Sequence, residues 1–486
     1  MSKSNVDLVS TEKIELPQYI DTIISAFYDV GYECFAVGGY IRDALLGRPS
    51  HDCDLCTNAK PDEIKSILNK ALGNNYKIQF VDTGIKYGTV TLLIDDCSYE
   101  ITTYRVDEQY SDHRKPDTVT YTQSLITDLS RRDFTMNAIA YNNRVGFVDP
   151  FNGINDILME TIRCVGEPEK RFTEDALRIL RAMRFSAQLN FNIALRTQLG
   201  MERCKEFLAT LSRERIASEL TKILAGDYSS RVIKDYHKML FVVLPQLKLC
   251  YGFEQHNPHH MYDVFDHCVA TVTYAKYFID YLRSTDYNLL DDTGNMDLCL
   301  YWAALLHDVG KPDCFSLDEN GIGHFYHHAK RSVELADYML TNLKMSNQDI
   351  DMILTLIKYH DIVFEVDKKF CRRWMSRLGT QTFVYLCALR VADVEAQRYN
   401  ENDDRVKTVK QCLKLIEDIV AEESLMSLNK LCITGKNLIT WGYKPGPIFS
   451  TILNDCVDSI NDEKLNKNYE DIKSYVLNKY NVEEYK

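Results

Sequence analysis

Nowhere in the 486-residue chain do about 18 apolar residues run without interruption, so no segment reads as a membrane-spanning helix. The opening stretch, MSKSNVDLVSTEKIELPQYI, has no basic start followed by an apolar core, which argues against a secretory leader. Low-complexity tracts and internal repeats are missing too. With 45% hydrophobic and 26% charged residues the composition is that of a folded globular protein, not a disordered one. A cytoplasmic protein is expected. Its length exceeds what a single hydrophobic core organises, so two or more domains are expected.

A disulfide framework is also lacking. The 15 cysteines are odd in number, scattered and mostly set in apolar surroundings, as in Val384-Tyr385-Leu386-Cys387-Ala388, which fits a reducing compartment. Cys53 and Cys56 form one C-x-x-C, but no second pair completes a zinc site, and they read as buried strand residues. Positive charge is scarce as well: the net charge of −13 weighs against broad nucleic-acid binding, because phosphate contacts need Lys and Arg. The deficit is uneven. From Arg163 to Arg215 there are 11 basic and 7 acidic residues, so a basic groove within an acidic protein is open.

Residues 35–140 alternate between extended and helical patterns. Phe35-Ala36-Val37 predicts a strand, Tyr40 to Leu46 a helix, and the β-branched run Gly88 to Ile94 another strand. From Glu174 onward helical spacing dominates, as in Leu177, Leu180 and Met183. Gly166-Glu167-Pro168, Pro245 and Asn257-Pro258 are the natural punctuation, and the charged stretch Lys464 to Lys486 reads as a solvated terminal helix.

The chemistry starts where Val37 gives way to Gly38-Gly39-Tyr40-Ile41-Arg42-Asp43. Glycines let a backbone approach an anion, a helix start presents unpaired N–H groups, and Arg42 adds charge one turn in. A plain structural turn would explain this segment alone. Nine residues past Asp43 stands Asp52-Cys53-Asp54. On a strand, i and i+2 share a face, and two adjacent carboxylates repel unless a cation such as Mg²⁺ sits between them. A solvated strand face is the alternative. Glu100, on a predicted neighbouring strand, is the candidate third carboxylate.

VGGYIRD followed by HDCDL resembles the polymerase-β-type nucleotidyltransferase superfamily, in the branch shared by CCA-adding tRNA nucleotidyltransferases and bacterial poly(A) polymerases. Four further segments match that family in order over roughly residues 30 to 225: the loop YSDHRKPDTV, DLSRRDFTMNAIAYN, DPFNGINDI and RFTEDALRILRAMRF. The resemblance implies an α+β fold, with a small mixed α/β head carrying a β-sheet, followed by an all-α neck, body and tail. It implies a head over residues 1–155 and a helical neck over 156–230 that contributes to RNA binding and base selection. It implies nucleotide binding by Gly38, Gly39, Arg42, Asp43, Arg132, Asp133, Asn137, Asp175, Arg178, Arg181 and Arg184, with Arg132 on the triphosphate and Asp133 selecting ribose. Asp52, Asp54 and Glu100 would be catalytic. Mg²⁺ on Asp52 and Asp54 would support in-line attack of a tRNA 3′-OH on the α-phosphorus.

Glu174, Asp175, Arg178, Arg181 and Arg184 have the spacing of one helix face. Such a face is often simply exposed and salt-bridged. It also suits base choice, since a carboxylate accepts from an exocyclic amine and a guanidinium donates to a ring acceptor. Cytosine and adenine both offer that edge. Guanine and uracil would leave buried partners unsatisfied, at about 1–3 kcal/mol each. An Asp175 and Arg178 pair would thus select C and A without a nucleic-acid template.

Nine of the twelve histidines lie between His256 and His360. His307-Asp308 ends an apolar run, with His267 before it and Asp393 after. That order resembles the HD superfamily of metal-dependent phosphohydrolases, and the resemblance implies an HD-type body over 231–400 and a helical tail over 401–486. His267, His307, Asp308 and Asp393 would hold a divalent ion (Mg, Mn or a transition metal), with His328 and His360 available for a second. His256, His259, His260, His324 and His327 are expected at the surface or around those ligands.

The function expected is addition of C, C and A to the tRNA 3′ end from CTP and ATP, with phosphohydrolase activity in the HD portion; tRNA, CTP and ATP are the expected partners and no membrane is involved. The rivals are a poly(A) polymerase or an A-adding enzyme, an HD phosphohydrolase with a degenerate nucleotide-sensing head, and a tRNA-binding module without catalysis.

Overall fold

The computed structural model describes residues 13–50, 52–82, 84–108, 118–256, 261–285, 289–290, 294–397, 403–426, 433–461, 464–466 and 468–480. His51, most of the 110–119 loop, the Asn257-Pro258 turn, His259 and His260 lie outside the described residues. The chain divides into two compact units, Met1–Pro245 and Gln246–Lys486.

The first unit is built on a seven-stranded sheet in the order Ile78–Val81, Thr89–Ile94, Cys97–Thr103, Asp54–Thr57, Cys34–Val37, Ala140–Asn142, Gly146–Val148. Thr89–Ile94 alternates, with Val90, Leu92 and Ile94 buried, as a half-covered strand should. Cys34–Val37 is buried along its whole length and reads as a continuous apolar run because both faces are covered. Asp54–Thr57 runs antiparallel to Cys34–Val37 and parallel to Cys97–Thr103, with Val37 opposite Asp54 and Leu55 opposite Ile101. Asp54 and Glu100 are therefore brought alongside one another by register. After the sheet the unit is helical, through Pro168–Glu174, Leu177–Leu189 and Arg213–Ala225.

Asn295–Leu306 is the central helix of the second unit. Every residue from Cys299 to Leu306 is buried, as a helix apolar on all sides requires. It packs against Val264–Ser284, Asn347–Tyr359 and Thr380–Gln397. The C-terminal stretch differs from the expected solvated helix. Tyr469–Lys479 buries Ile472 and Val476 against Leu438, Tyr443, Ile452 and Cys456, so one of its faces closes a small core. Among the described residues every cysteine is free, and no helix is long and apolar enough to cross a membrane.

Candidate functional sites

In the first unit the strand Cys34–Val37 ends at Gly38, whose φ of 82° places it in the left-handed region that favours glycine. A Cβ there would lie 3.5 Å from Arg132 Nη1 and 3.9 Å from Asp54 Oδ2, so turn, carboxylate and guanidinium converge on one spot. Asp52 precedes the strand instead of belonging to it. The alternation of exposure still runs through Asp52, Cys53, Asp54 and Leu55, with the two aspartates exposed as residues and Cys53 and Leu55 buried, while Glu100 and Arg132 crowd the Asp54 carboxyl itself. The Asp54 carboxyl is pushed up to about 6, by loss of water around it and then by the charge of Glu100, with Arg132 opposing and Asp52 adding to the rise. Mutually repelling carboxylates with only oxygen donors fit a hard divalent cation.

Behind this cluster lies a network of guanidinium groups. Arg42 bonds Asp43 through Nε and Nη2 and donates from Nη1 to Asn137 Oδ1 at 2.9 Å. Asn137 donates to Asp133 Oδ1 at 3.1 Å, and Arg181 grips Asp133 Oδ2 at 2.8 and 2.6 Å. Burial raises the Asp133 carboxyl, but the charge of Arg181 and the bond from Asn137 outweigh it and bring it down to about 2. Phe185 underlies the network: the guanidinium carbons of Arg42, Arg181 and Arg184 sit 4.8, 5.4 and 4.4 Å from its ring centroid. Glu219 holds Arg184 at 2.9 Å.

The single helix face expected for Glu174 through Arg184 is corrected. The helix breaks at Asp175, whose φ and ψ of −144° and 102° are extended, and a new helix begins at Leu177. The Asp175 carboxylate accepts from the Leu177 N–H at 3.1 Å, the capping chemistry by which aspartate interrupts a helix. Nor do Asp175 and Arg178 pair through their side chains. Asp175 Oδ2 accepts from Arg215 Nη2 at 2.8 Å, while Arg178 reaches Glu174, the Arg171 carbonyl and, at 2.8 Å, the Arg131 carbonyl. Arg215, Phe185 and Glu219 were not singled out from the sequence. Asp175 and Arg215 are forty positions apart, and Phe185 looks like one more core residue of an amphipathic helix.

The second unit gathers its histidines at helix ends. His267 lies in the first turn of Val264–Ser284, His307 and Asp308 follow the central helix, and Asp393 projects from Thr380–Gln397. Ligand atoms of these four lie within 4.8 Å of one another, as do those of Asp308, His328 and His360. His267 Nε2 is 3.2 Å from His307 Nε2 and 3.1 Å from Asp393 Oδ1, and His328 Nε2 is 3.2 Å from His360 Nε2. The Nδ1 atoms of His307, His328 and His360 face the carbonyls of Ala304, Phe325 and Ile357, which turns each Nε2 inward.

Burial pulls the His307 imidazole down, but Asp308 and then Asp393 outweigh it and hold it up at about 10. Burial and the charge of His307 press the His360 imidazole below its ordinary value. Asp308 Oδ1 is buried and faces His328 Nε2 at 3.3 Å, while Lys311 Nζ lies 2.7 Å from Oδ2. Inward-facing imidazoles around shared carboxylates, with their ligand atoms within 4.8 Å of one another, fit divalent metal ions bound by nitrogen and oxygen. The cluster opens into a cavity of about 350 Å³ whose lining includes Asp308, Lys311, His328, His360 and Asp393.

Known proteins share these features. Residues 34–163 match the Poly A polymerase head domain, 190–249 the probable RNA and SrmB-binding site of polymerase A, and 264–410 the HD domain. The chain is 44% identical to the CCA-adding enzyme of Lactobacillus helveticus over 212 residues, 44% of this chain and 51% of that one. It thus spans about half the length of several such relatives. With the CCA-adding enzyme of Levilactobacillus brevis it shares 32% identity over 436 residues, 89% of this chain and 90% of that one.

The chain belongs to the CCA-adding enzyme family.

Its fold is that of the Bacillus stearothermophilus CCA-adding enzyme solved in complex with CTP, with a TM-score of 0.62 and 24% identity over 97% of this chain and 99% of that one. The Thermotoga maritima CCA-adding enzyme complexed with tRNA has the same fold, with a TM-score of 0.55 and 19% identity over 96% of each chain. For this CCA-adding family member the α+β architecture is therefore established.

Proposed function

We propose that the protein adds C, C and A to the 3′ end of tRNA from CTP and ATP, without a nucleic-acid template, through the first unit. The observation that supports this most directly is the convergence of Gly38, Asp54 and Arg132 on one spot, next to the Asp133, Arg181 and Asn137 network. Asp52 and Asp54, assisted by Glu100, would hold Mg²⁺, which supplies charge neutralisation for phosphoryl transfer when bound. Gly38 and Gly39 leave room for the triphosphate, and Arg42, Asp43 and Arg132 surround it. Asp133 accepts from the ribose, and Arg181 keeps it ionised. Asp175, fixed by Arg215, presents an acceptor to the exocyclic amine of the incoming base, with Arg178, Arg181 and Arg184 around it. We divide the chain into a head over 1–155, a neck over 156–230, an HD-type body over 231–400 and a tail over 401–486.

We further infer that the histidine cluster is a phosphoester hydrolase site, held by His267, His307, Asp308 and Asp393 with His328 and His360 beside them. Asp52→Ala with Asp54→Ala should abolish nucleotide transfer and spare hydrolysis, and His307→Ala with Asp308→Ala should do the reverse. Loss of hydrolysis in the head variant would contradict two independent sites.

A further inference from the structure

Beside the metal-ligand cluster, the cavity wall carries two aromatic rings that neither reading above uses. Tyr326 and His324 stack with ring centroids 5.5 Å apart and planes only 7° from parallel. His324 is tied down through Nε2 to Asp318 Oδ2 at 3.2 Å. Tyr326 is 69% exposed, so its ring is backed on one side by an anchored imidazole and presents free area to the cavity it lines.

The segment that carries them is fixed. Ser316–Leu317 pairs antiparallel with Gly323–His324, and the Gly323 N–H bonds the His256 carbonyl at 2.9 Å. Phe325, between the two rings in sequence, packs on Phe315, which packs on Phe253. Two residues after Tyr326 comes His328, whose Nε2 lies 3.3 Å from Asp308 Oδ1. Two positions apart at the end of the strand Gly323–His324, His324 and Tyr326 fall on one side of the chain, and that side lines the cavity. The arrangement is what a planar ligand needs: a rigid stacking surface a short reach from the atoms that would hold the phosphate.

We propose that Tyr326, backed by His324, is a base-stacking platform, and that the cavity takes phosphate esters carrying a nucleobase in preference to sugar or alkyl phosphates. A volume of about 350 Å³ suits one nucleotide unit. The proposal rests on the hydrolase reading of this cluster. In that reaction water adds to phosphorus, the ester P–O bond breaks, and inorganic phosphate leaves as the nucleoside hydroxyl recovers a proton.

Uridine 5′-monophosphate and ribose 5-phosphate differ only in the base, and uracil lacks the edge that the first unit is proposed to select. Both are titrated calorimetrically into full-length, Mn²⁺-loaded protein, and phosphate release is followed in parallel. Since aromatic stacking of one base is worth about tenfold or more in affinity, the uridine nucleotide should bind about tenfold tighter. Tyr326→Ala should bring it down to the ribose 5-phosphate value, and Tyr326→Phe should retain the difference. Equal binding of the two ligands by the unaltered protein, no binding of either, or equal weakening of both by Tyr326→Ala overturns the platform. A base preference in binding without phosphate release leaves the platform standing and removes the hydrolase reading. Equal binding and equal hydrolysis of both does the opposite.

Discussion

Arg215 Nη2 donates to Asp175 Oδ2 at 2.8 Å, fixing a carboxylate that caps one helix from a residue on another. Freed of that bond, Asp175 is left to hydrogen-bond water and swing. Arg215→Ala should lower kcat/KM for CTP and ATP by about tenfold, the cost of one charge-assisted bond, and raise relative use of UTP and GTP. Asp175→Ala should do the same, and the double variant should be no worse than either alone, which nucleotide-competition kinetics will show. Additive losses would mean that Arg215 acts elsewhere.

Asp133 connects the same network to acid stability. Its carboxyl sits at about 2 in the folded protein, against about 3.9 in an unfolded chain. Below the unfolded value the unfolded chain takes up a proton that the folded one refuses, so this stabilisation is complete above about pH 4 and is lost as pH falls toward 2. Arg181→Gln removes the principal lowering charge. Its acid-unfolding midpoint, followed by circular dichroism, should move to higher pH, and an unchanged midpoint would contradict the pairing.

The histidine cluster should respond to metal as a folding ligand does. Treatment with a chelator should lower the unfolding temperature, and Mn²⁺ at about 100 times its dissociation constant should restore about 2.7 kcal/mol. Asp52→Ala with Asp54→Ala should keep this response, whereas His307→Ala should lose it. A response that follows the head variant instead would move the tight metal site to the first unit.

Much of this was legible in the residues. The glycine pair, the i, i+2 aspartates and the His307-Asp308 pair are local patterns, whereas His267 and Asp393, 126 positions apart, were readable only through their order along the chain. The central helix shows why the pair was legible: LCLYWAALL is apolar on every side, so it must be buried, and it delivers His307 and Asp308 into the interior. Three features were hidden for physical reasons. Apolar spacing runs unbroken through Phe172, Ala176 and Leu180, and masks the helix break that the Asp175 side chain makes. The Arg215 contact and the Glu219 contact to Arg184 join residues far apart in the chain. Arg42 joins Arg181 and Arg184 over Phe185 only once the helices Gly39–Leu45 and Leu177–Leu189 meet.

The most direct test offers the purified chain a tRNA lacking its terminal CCA, with CTP alone, ATP alone and both together. Two residues should be added with CTP alone, followed by arrest, and three when ATP is also present. Extension by ATP alone, or a long run of adenosines, would contradict it.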